Sequence, residues 1–375
     1  MWKLLFQNMK NNMSSKLTKK EILQILNATD IELIDYMSQT MKYRENNLIT
    51  FSKNIFIPLT EICRNDCGYC NFKKDPTDST AIILKSKEEI LLDLKEAEKY
   101  GCKEAMFAFG EDADEEEIVQ LKLAEYGYEN MIDYIIDICQ MTLDETTLLP
   151  HTNGGNFCYD DLKRLKDVNA SMGLMLENSS PRLMKLPAHN KSPGKDPKLR
   201  LETIENAGKL KIPYTSGILI GIGETKEEIA DSLLALKDIH DKYGHIQEII
   251  IQNFTPIPGI EMENSKEPTL LDMIRTVIAG CLVFKDTDVS IQVPPNLNNE
   301  TAQIFLLCGA DDCGGVSPVS PDYVNITSPW PGIDELKYIT ENAGFELIER
   351  LCIYDKYINR EWLNEEVLNK ISNLS

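Results

Sequence analysis

The chain has 375 residues, 42% of them apolar, and its 14 Tyr, 11 Phe and 3 Trp can fill a sizeable core, which excludes the disordered and fibrous classes. Its 39 Lys and Arg stand against 60 Asp and Glu, and the resulting formal charge of -21 repels phosphate backbones and anionic lipid, so neither nucleic acid nor a membrane is an expected partner. No apolar run is long enough to span a bilayer, and the opening MWKLLFQNMKNNMSSK has too short an apolar run for a signal peptide, so a cytoplasmic protein is expected.

Residues 1–50 hold two segments, KKEILQILNATD and DIELIDYMSQTMKYR, whose apolar residues recur at three and four positions, predicting an N-terminal helical extension. From residue 54 short β-rich runs alternate with amphipathic stretches: NIFIPL, EAMFAF, TTLLPHT, MGLMLE, SGILIGI, EIIIQNF and DVSIQV. Between them, SKEEILLDLKEAEKYG opens on a capping-box pattern and closes at Gly101, and TKEEIADSLLALKDIHDKYG repeats the design from Thr225 to Gly244. Six or seven successive βα units predict an α/β fold with parallel strands, a partial or closed (β/α) TIM-like barrel over residues 51–300. An open doubly wound sheet is the alternative that periodicity leaves standing, and residues 301–375 are expected as a C-terminal extension packed on the barrel.

In such folds ligands sit at the carboxyl ends of the strands. There the sequence collects Gly110 and Glu111, then His151, Thr152 and Asn153, then Glu177 and Asn178, then Gly221, Gly223 and Glu224, and finally Asn253 and Asn296. The segment TEICRNDCGYCNF follows the first strand and spaces Cys63, Cys67 and Cys70 as C-x3-C-x2-C. Three thiolates in one loop can hold a 4Fe-4S cubane, and the missing fourth leaves one iron open to the amino and carboxylate groups of S-adenosylmethionine. Zinc is the competing reading, but a closed zinc site needs four ligands. The other seven cysteines are scattered and read as reduced core residues in a chain too long for a disulfide scaffold.

Weaker candidates surround the loop. Tyr69 stands beside the third cysteine, where an aromatic ring can meet adenine or pack. Gly110 and Glu111 could approach the cofactor's ammonium, Glu177 the ribose hydroxyls, and Arg200 the methionine carboxylate in a fork. Gly221 and Ile222, in GILIGIGET, could admit the adenine beside the backbone. His240 and His245 flank a helix end and read as structural.

IFIPLTEICRNDCGYCNF, EAMFAFGE, LLPHTNGG, NASMGLMLEN, SPGKDPKLRLETIENAGKLKIPYTSGILIGIGET and GGVSPVSPDYVN together resemble the 7,8-didemethyl-8-hydroxy-5-deazariboflavin synthases, the CofG family of radical S-adenosylmethionine enzymes. The resemblance runs from about residue 50 to residue 350. It implies a radical SAM barrel, a 4Fe-4S cluster on Cys63, Cys67 and Cys70, an external electron donor, and a small-molecule substrate supplied by a CofH-type partner subunit. The implied reaction is ring closure with loss of ammonia, a lyase activity in deazaflavin coenzyme synthesis. His151, Thr152, Asn153, Asn253 and Asn296 are then candidates for uracil or ribityl oxygens. Gly155 and Cys313 depart from the family pattern and are expected to alter substrate packing. Another radical SAM reaction, such as sulfur insertion or hydrogenase-cofactor maturation, is the nearest rival, and an electron carrier is a more distant one.

Overall fold

A computed structural model describes residues 16–374, so the expectation about the opening segment falls outside the described residues. Nine strands form one sheet: β1 Leu48–Thr60, β2 Glu104–Phe109, β3 Leu149–Asn153, β4 Ser171–Gly173, β5 Tyr214–Ile220, β6 Ile246–Asn253, β7 Ser290–Gln292, β8 Asp312–Val316 and β9 Glu346–Arg350. Neighbours β1 to β8 pair in parallel and in chain order, and β1 pairs with both β2 and β8, so the ring closes and the open doubly wound alternative falls. Helices follow the strands outside the ring, as the alternating pattern predicts.

The length of β1 explains how nine strands share one closed sheet. Its upper half, Asn54–Thr60, pairs with β2, and its lower half, Leu48–Ser52, pairs with β9. The C-terminal boundary of the barrel moves as a result. The eighth strand lies beyond residue 300, where the sequence reading ended the barrel, because DCGGV carries two glycines, one of them, Gly314, at φ +71°, and no β-branched run. The C-terminal extension also does more than pack outside, since Arg350 and Cys352 line the barrel's interior cavity.

Local chemistry sets the helices. Helix α1 (Lys19–Leu26) starts at Thr18, whose side chain and that of Glu21 form a reciprocal capping box. It buries Ile22, Ile25 and Leu26 against two later helices, Lys226–Tyr243 and Leu270–Phe284, so this part of the expected extension belongs to the same core. Lys87–Lys99 is capped by Ser86 with Glu89, and Gly101 follows at φ +75°. Lys226–Tyr243 has the same box from Thr225 and Glu228 and ends at Gly244, φ +64°. Among the described residues no helix is long and apolar enough to cross a membrane.

Candidate active site

The cysteine loop leaves the top of β1 and is held from three sides. The Arg64 N–H donates to the Glu111 carbonyl (2.9 Å) and the Gly110 N–H to the Thr60 carbonyl (3.1 Å), tying the loop to the end of β2. The Gly68 N–H reaches the Ala188 carbonyl (3.1 Å) while the Gly68 carbonyl accepts from Met262 (2.9 Å). Close approach is the reason for glycine at 110, because a Cβ there would lie 1.7 Å from the Ile62 carbonyl oxygen.

Cys63, Cys67 and Cys70 are half-buried free thiols lining one cavity of about 350 Å³ that runs from the loop into the barrel. Backbone N–H groups of Asn65 and Glu111 are directed at the Cys63 sulfur, and those of Phe72 and Lys73 at the Cys70 sulfur. Such donors stabilise sulfur ligands of an iron cluster. Burial pushes the Cys63 thiol up to about 11 and the Cys70 thiol upward, a cost that metal binding offsets by displacing the proton. Among the described residues no group of three or more His, Cys, Asp or Glu is placed to hold a single metal ion. A cubane spreads three thiolates over three irons, so shared access to one cavity and the backbone donors are the features that bear on it, and both fit.

Beside the loop lies an ordered charged array. Glu177, a non-glycine residue at φ +62°, accepts from Lys195 Nζ at 2.7 Å in a largely buried pair. Burial opposes ionisation of Glu177, but the Lys195 and Arg200 cations outweigh it and hold the carboxyl below its ordinary value. Burial, aided by Lys195, drops His189 to about 3, so its neutral Nε2 can accept from the Tyr69 hydroxyl at 3.2 Å. Lys195 Nζ also stands 5.9 Å from the centre of the Tyr69 ring.

Arg200 is buried and spends Nε on the Met175 carbonyl (2.7 Å) and Nη1 on Glu111 (3.3 Å) and the Gly194 carbonyl (3.1 Å). Its Nη2 forms no hydrogen bond among the described residues, and the side chain lines the cavity. Glu111 is committed within the protein, to Arg200 and to Asn156 Nδ2 (2.7 Å), and Gly155 at φ +100° leaves room for it. Gly221 and Ile222 lie just outside the cavity lining. Their N–H groups donate to the Glu224 carboxylate at 2.7 and 2.8 Å, and the Ile222 side chain packs in the apolar cluster that includes Tyr69, Leu219 and Phe254.

Of the polar rim, His151, Asn153, Asn253 and Asn296 line the cavity, whereas Thr152 faces outward to Asn169 (2.8 Å). Strand alternation separates 152 from its neighbours. Cys313 likewise packs with Ile49, Phe51, Leu336 and Phe345, away from the main cavity, so its departure from the family pattern does not touch substrate packing there. His245 bonds the Ile204 carbonyl (2.9 Å) and His240 packs against Phe284, consistent with structural roles.

The sequence reading missed the barrel floor. Arg350 donates to Asp312 through Nε (2.6 Å) and Nη2 (2.8 Å) and to Glu248 through Nη2 (2.7 Å), with Tyr354 stacked on its guanidinium at 4.5 Å. Burial pushes Glu248 up to about 7 despite Arg350, and the charge of Asp312 adds to the rise.

Residues 57–236 match the Radical SAM superfamily. The 7,8-didemethyl-8-hydroxy-5-deazariboflavin synthase of Methanobrevibacter smithii is 76% identical over 339 residues, covering 90% of this chain and all of that protein. The protein of the same name from Methanocaldococcus jannaschii is 53% identical over 358 residues, covering 95% of this chain and 98% of its own. The chain belongs to the 7,8-didemethyl-8-hydroxy-5-deazariboflavin synthase family. Among solved structures, the FeFe-hydrogenase maturase HydG from Carboxydothermus hydrogenoformans superposes with a TM-score of 0.74 at 16% identity, covering 93% of this chain and 79% of its own. Methylornithine synthase (PylB) gives 0.70 at 17%, covering 89% and 95%. These likenesses show the barrel fold. Membership in the superfamily implies a 4Fe-4S cluster and S-adenosylmethionine, and the family name implies a role in deazaflavin synthesis.

Proposed function

We propose that this chain closes the deazaflavin ring, converting 5-amino-5-(4-hydroxybenzyl)-6-(D-ribitylimino)-5,6-dihydrouracil to 7,8-didemethyl-8-hydroxy-5-deazariboflavin with loss of ammonia, on an intermediate made by a CofH-type partner subunit. The observation that carries the reading is the 76% identity with the M. smithii synthase across that protein's whole length. When bound, the reduced cluster and S-adenosylmethionine would supply a 5′-deoxyadenosyl radical able to accept a hydrogen atom from the hydroxybenzyl-bearing substrate, with methionine and 5′-deoxyadenosine as coproducts.

The chain's own part is to bind, orient and shield. Cys63, Cys67 and Cys70 hold the cluster on a loop fixed by backbone hydrogen bonds to Gly110, Glu111 and Ala188. Arg200 offers its free Nη2 to the cofactor's carboxylate, while Glu111 holds the guanidinium in place and Gly110 lets the loop close. Glu177, kept ionised by Lys195, accepts from ribose hydroxyls. Tyr69, on the cavity wall, gives the adenine an apolar contact, and Ile222 packs in the cluster that backs the Tyr69 ring. The aromatic side chains of Phe56, Phe72 and Trp330 line the cavity and shield it from water.

The test is an anaerobic mixture of iron-reconstituted protein, an external reductant, S-adenosylmethionine and the partner's product. Deazaflavin fluorescence that requires all four supports the reading. 5′-Deoxyadenosine without fluorescence keeps the radical chemistry and removes the substrate assignment.

A further inference from the structure

The cavity continues below the apolar side chains into a polar floor that the cofactor roles leave unused. Side chains facing inward alternate along a strand, so on β1 Asn54 lies two residues, about 7 Å, deeper than Phe56. Asn54 is registered with Glu104 on β2, and Gln292 and His151 line the same cavity. All four are buried, with 3 to 6% of their surface exposed.

A buried polar atom without a partner is costly, and Asn54 Oδ1 is one. Among the described residues the Gln292 amide, on the cavity lining, makes no hydrogen bond within the protein. His151 uses Nδ1 on Ser171 (2.7 Å), leaving Nε2 toward the cavity, and one Glu104 oxygen accepts from Ser52 while the other has no partner. Glycine makes the room: a Cβ at Gly314 would fall 2.0 Å from Gln292 Nε2, and one at Gly315 would fall 2.2 Å from Asn54 Nδ2. An amide, a second amide, a carboxylate and an imidazole around one part of the cavity can each donate to or accept from a hydroxyl.

We propose that this floor is a polyol subsite, in which Asn54 and Gln292, with Glu104 and His151, bind the hydroxyls of the ribityl chain while the flat ring lies above, beside Phe56 and Phe72. The inference rests on the deazaflavin reading above. It makes the side chains at 54 and 292 specificity-determining for the sugar-like arm of the ligand. The ring's chemistry is set elsewhere in the cavity.

Direct binding separates the possibilities. The iron-reconstituted protein is titrated with 7,8-didemethyl-8-hydroxy-5-deazariboflavin, followed by its fluorescence, and with the analogue bearing a methyl group in place of the ribityl chain. The wild type is expected to bind the ribityl compound more tightly. Asn54→Leu and Gln292→Met should each weaken it roughly tenfold, the size of one or two lost buried hydrogen bonds, and leave the methyl analogue within about twofold of its wild-type affinity. Gln292→Glu, similar in volume and still an acceptor, should recover part of the loss and decides the matter if the apolar variants fail to fold. Equal loss of both ligands, or loss of neither, overturns the subsite. A wild type that binds both compounds alike overturns it while leaving the deazaflavin reading intact, and a wild type that binds neither overturns that reading as well.

Discussion

Replacing Arg350 with Met should be among the most destabilising single changes in the barrel. Arg350 satisfies two oxygens of Asp312 and one of Glu248 in the floor, at 2.6 to 2.8 Å. Without it, Asp312 keeps the hydroxyls of Thr50 and Tyr354 and the Gly314 N–H, and Glu248 the hydroxyls of Thr215 and Tyr354. Removing one partner of a buried ion pair costs about 3–5 kcal/mol, because the surviving charge stays buried. Two carboxylates are stranded here, but Glu248 already titrates near 7 and can take up a proton, so the cost belongs mainly to Asp312. The proton taken up by the fold is released on unfolding, so the variant should be less stable at pH 8 than at pH 6. Urea denaturation followed by circular dichroism, at both pH values and with unchanged slope, reads the difference. A loss below about 1 kcal/mol at pH 8 would refute the account of the floor as one charge network.

Other expectations concern single features. Gly110→Ala places a Cβ 1.7 Å from the Ile62 carbonyl and should displace the cysteine loop, so the variant should fold but retain well under half of the wild type's reconstituted iron; full iron content and absorbance would contradict it. Ser86→Ala removes a reciprocal cap and should lower stability by about 1 kcal/mol in thermal unfolding. Glu248→Gln tests the pH dependence. With a folded value of about 7 against an ordinary 4.5, the folded protein holds a proton that the unfolded chain releases, so this group's contribution falls as pH rises through that window. Wild-type stability relative to the variant should therefore decline between those values, and a flat difference would place Glu248 at an ordinary pKa. Ala at Cys63, Cys67 or Cys70 should abolish 5′-deoxyadenosine formation, and a fully active triple variant would remove the cluster assignment.

Local signals made the loop and several helices legible. C-x3-C-x2-C, the Ser86 and Thr225 capping boxes and the glycines at 101 and 244 each act within a few residues, so spacing alone identifies them. Strand β8 escaped because Gly314 and Gly315 give it no strand-like composition, although those glycines are what make room for Gln292 and Asn54. Lys195 and His189 escaped for another reason: they sit on an irregular stretch after β4 with short 3-10 turns, where no period marks an inward face. Arg350 reaches the floor from β9, a partner of β1 almost 300 residues away in the chain, so only tertiary pairing reveals it. Thr152 shows the converse, since a polar residue at a strand end faces whichever side the alternation gives it.

The most direct measurement follows the hydrogen. The partner-derived intermediate, deuterated throughout its hydroxybenzyl group, is turned over anaerobically by the iron-reconstituted protein with S-adenosylmethionine and reductant. Deuterium is expected in the 5′-deoxyadenosine, with deazaflavin fluorescence rising in step with it. Deazaflavin formed with unlabelled 5′-deoxyadenosine, or labelled 5′-deoxyadenosine with no deazaflavin, would contradict it.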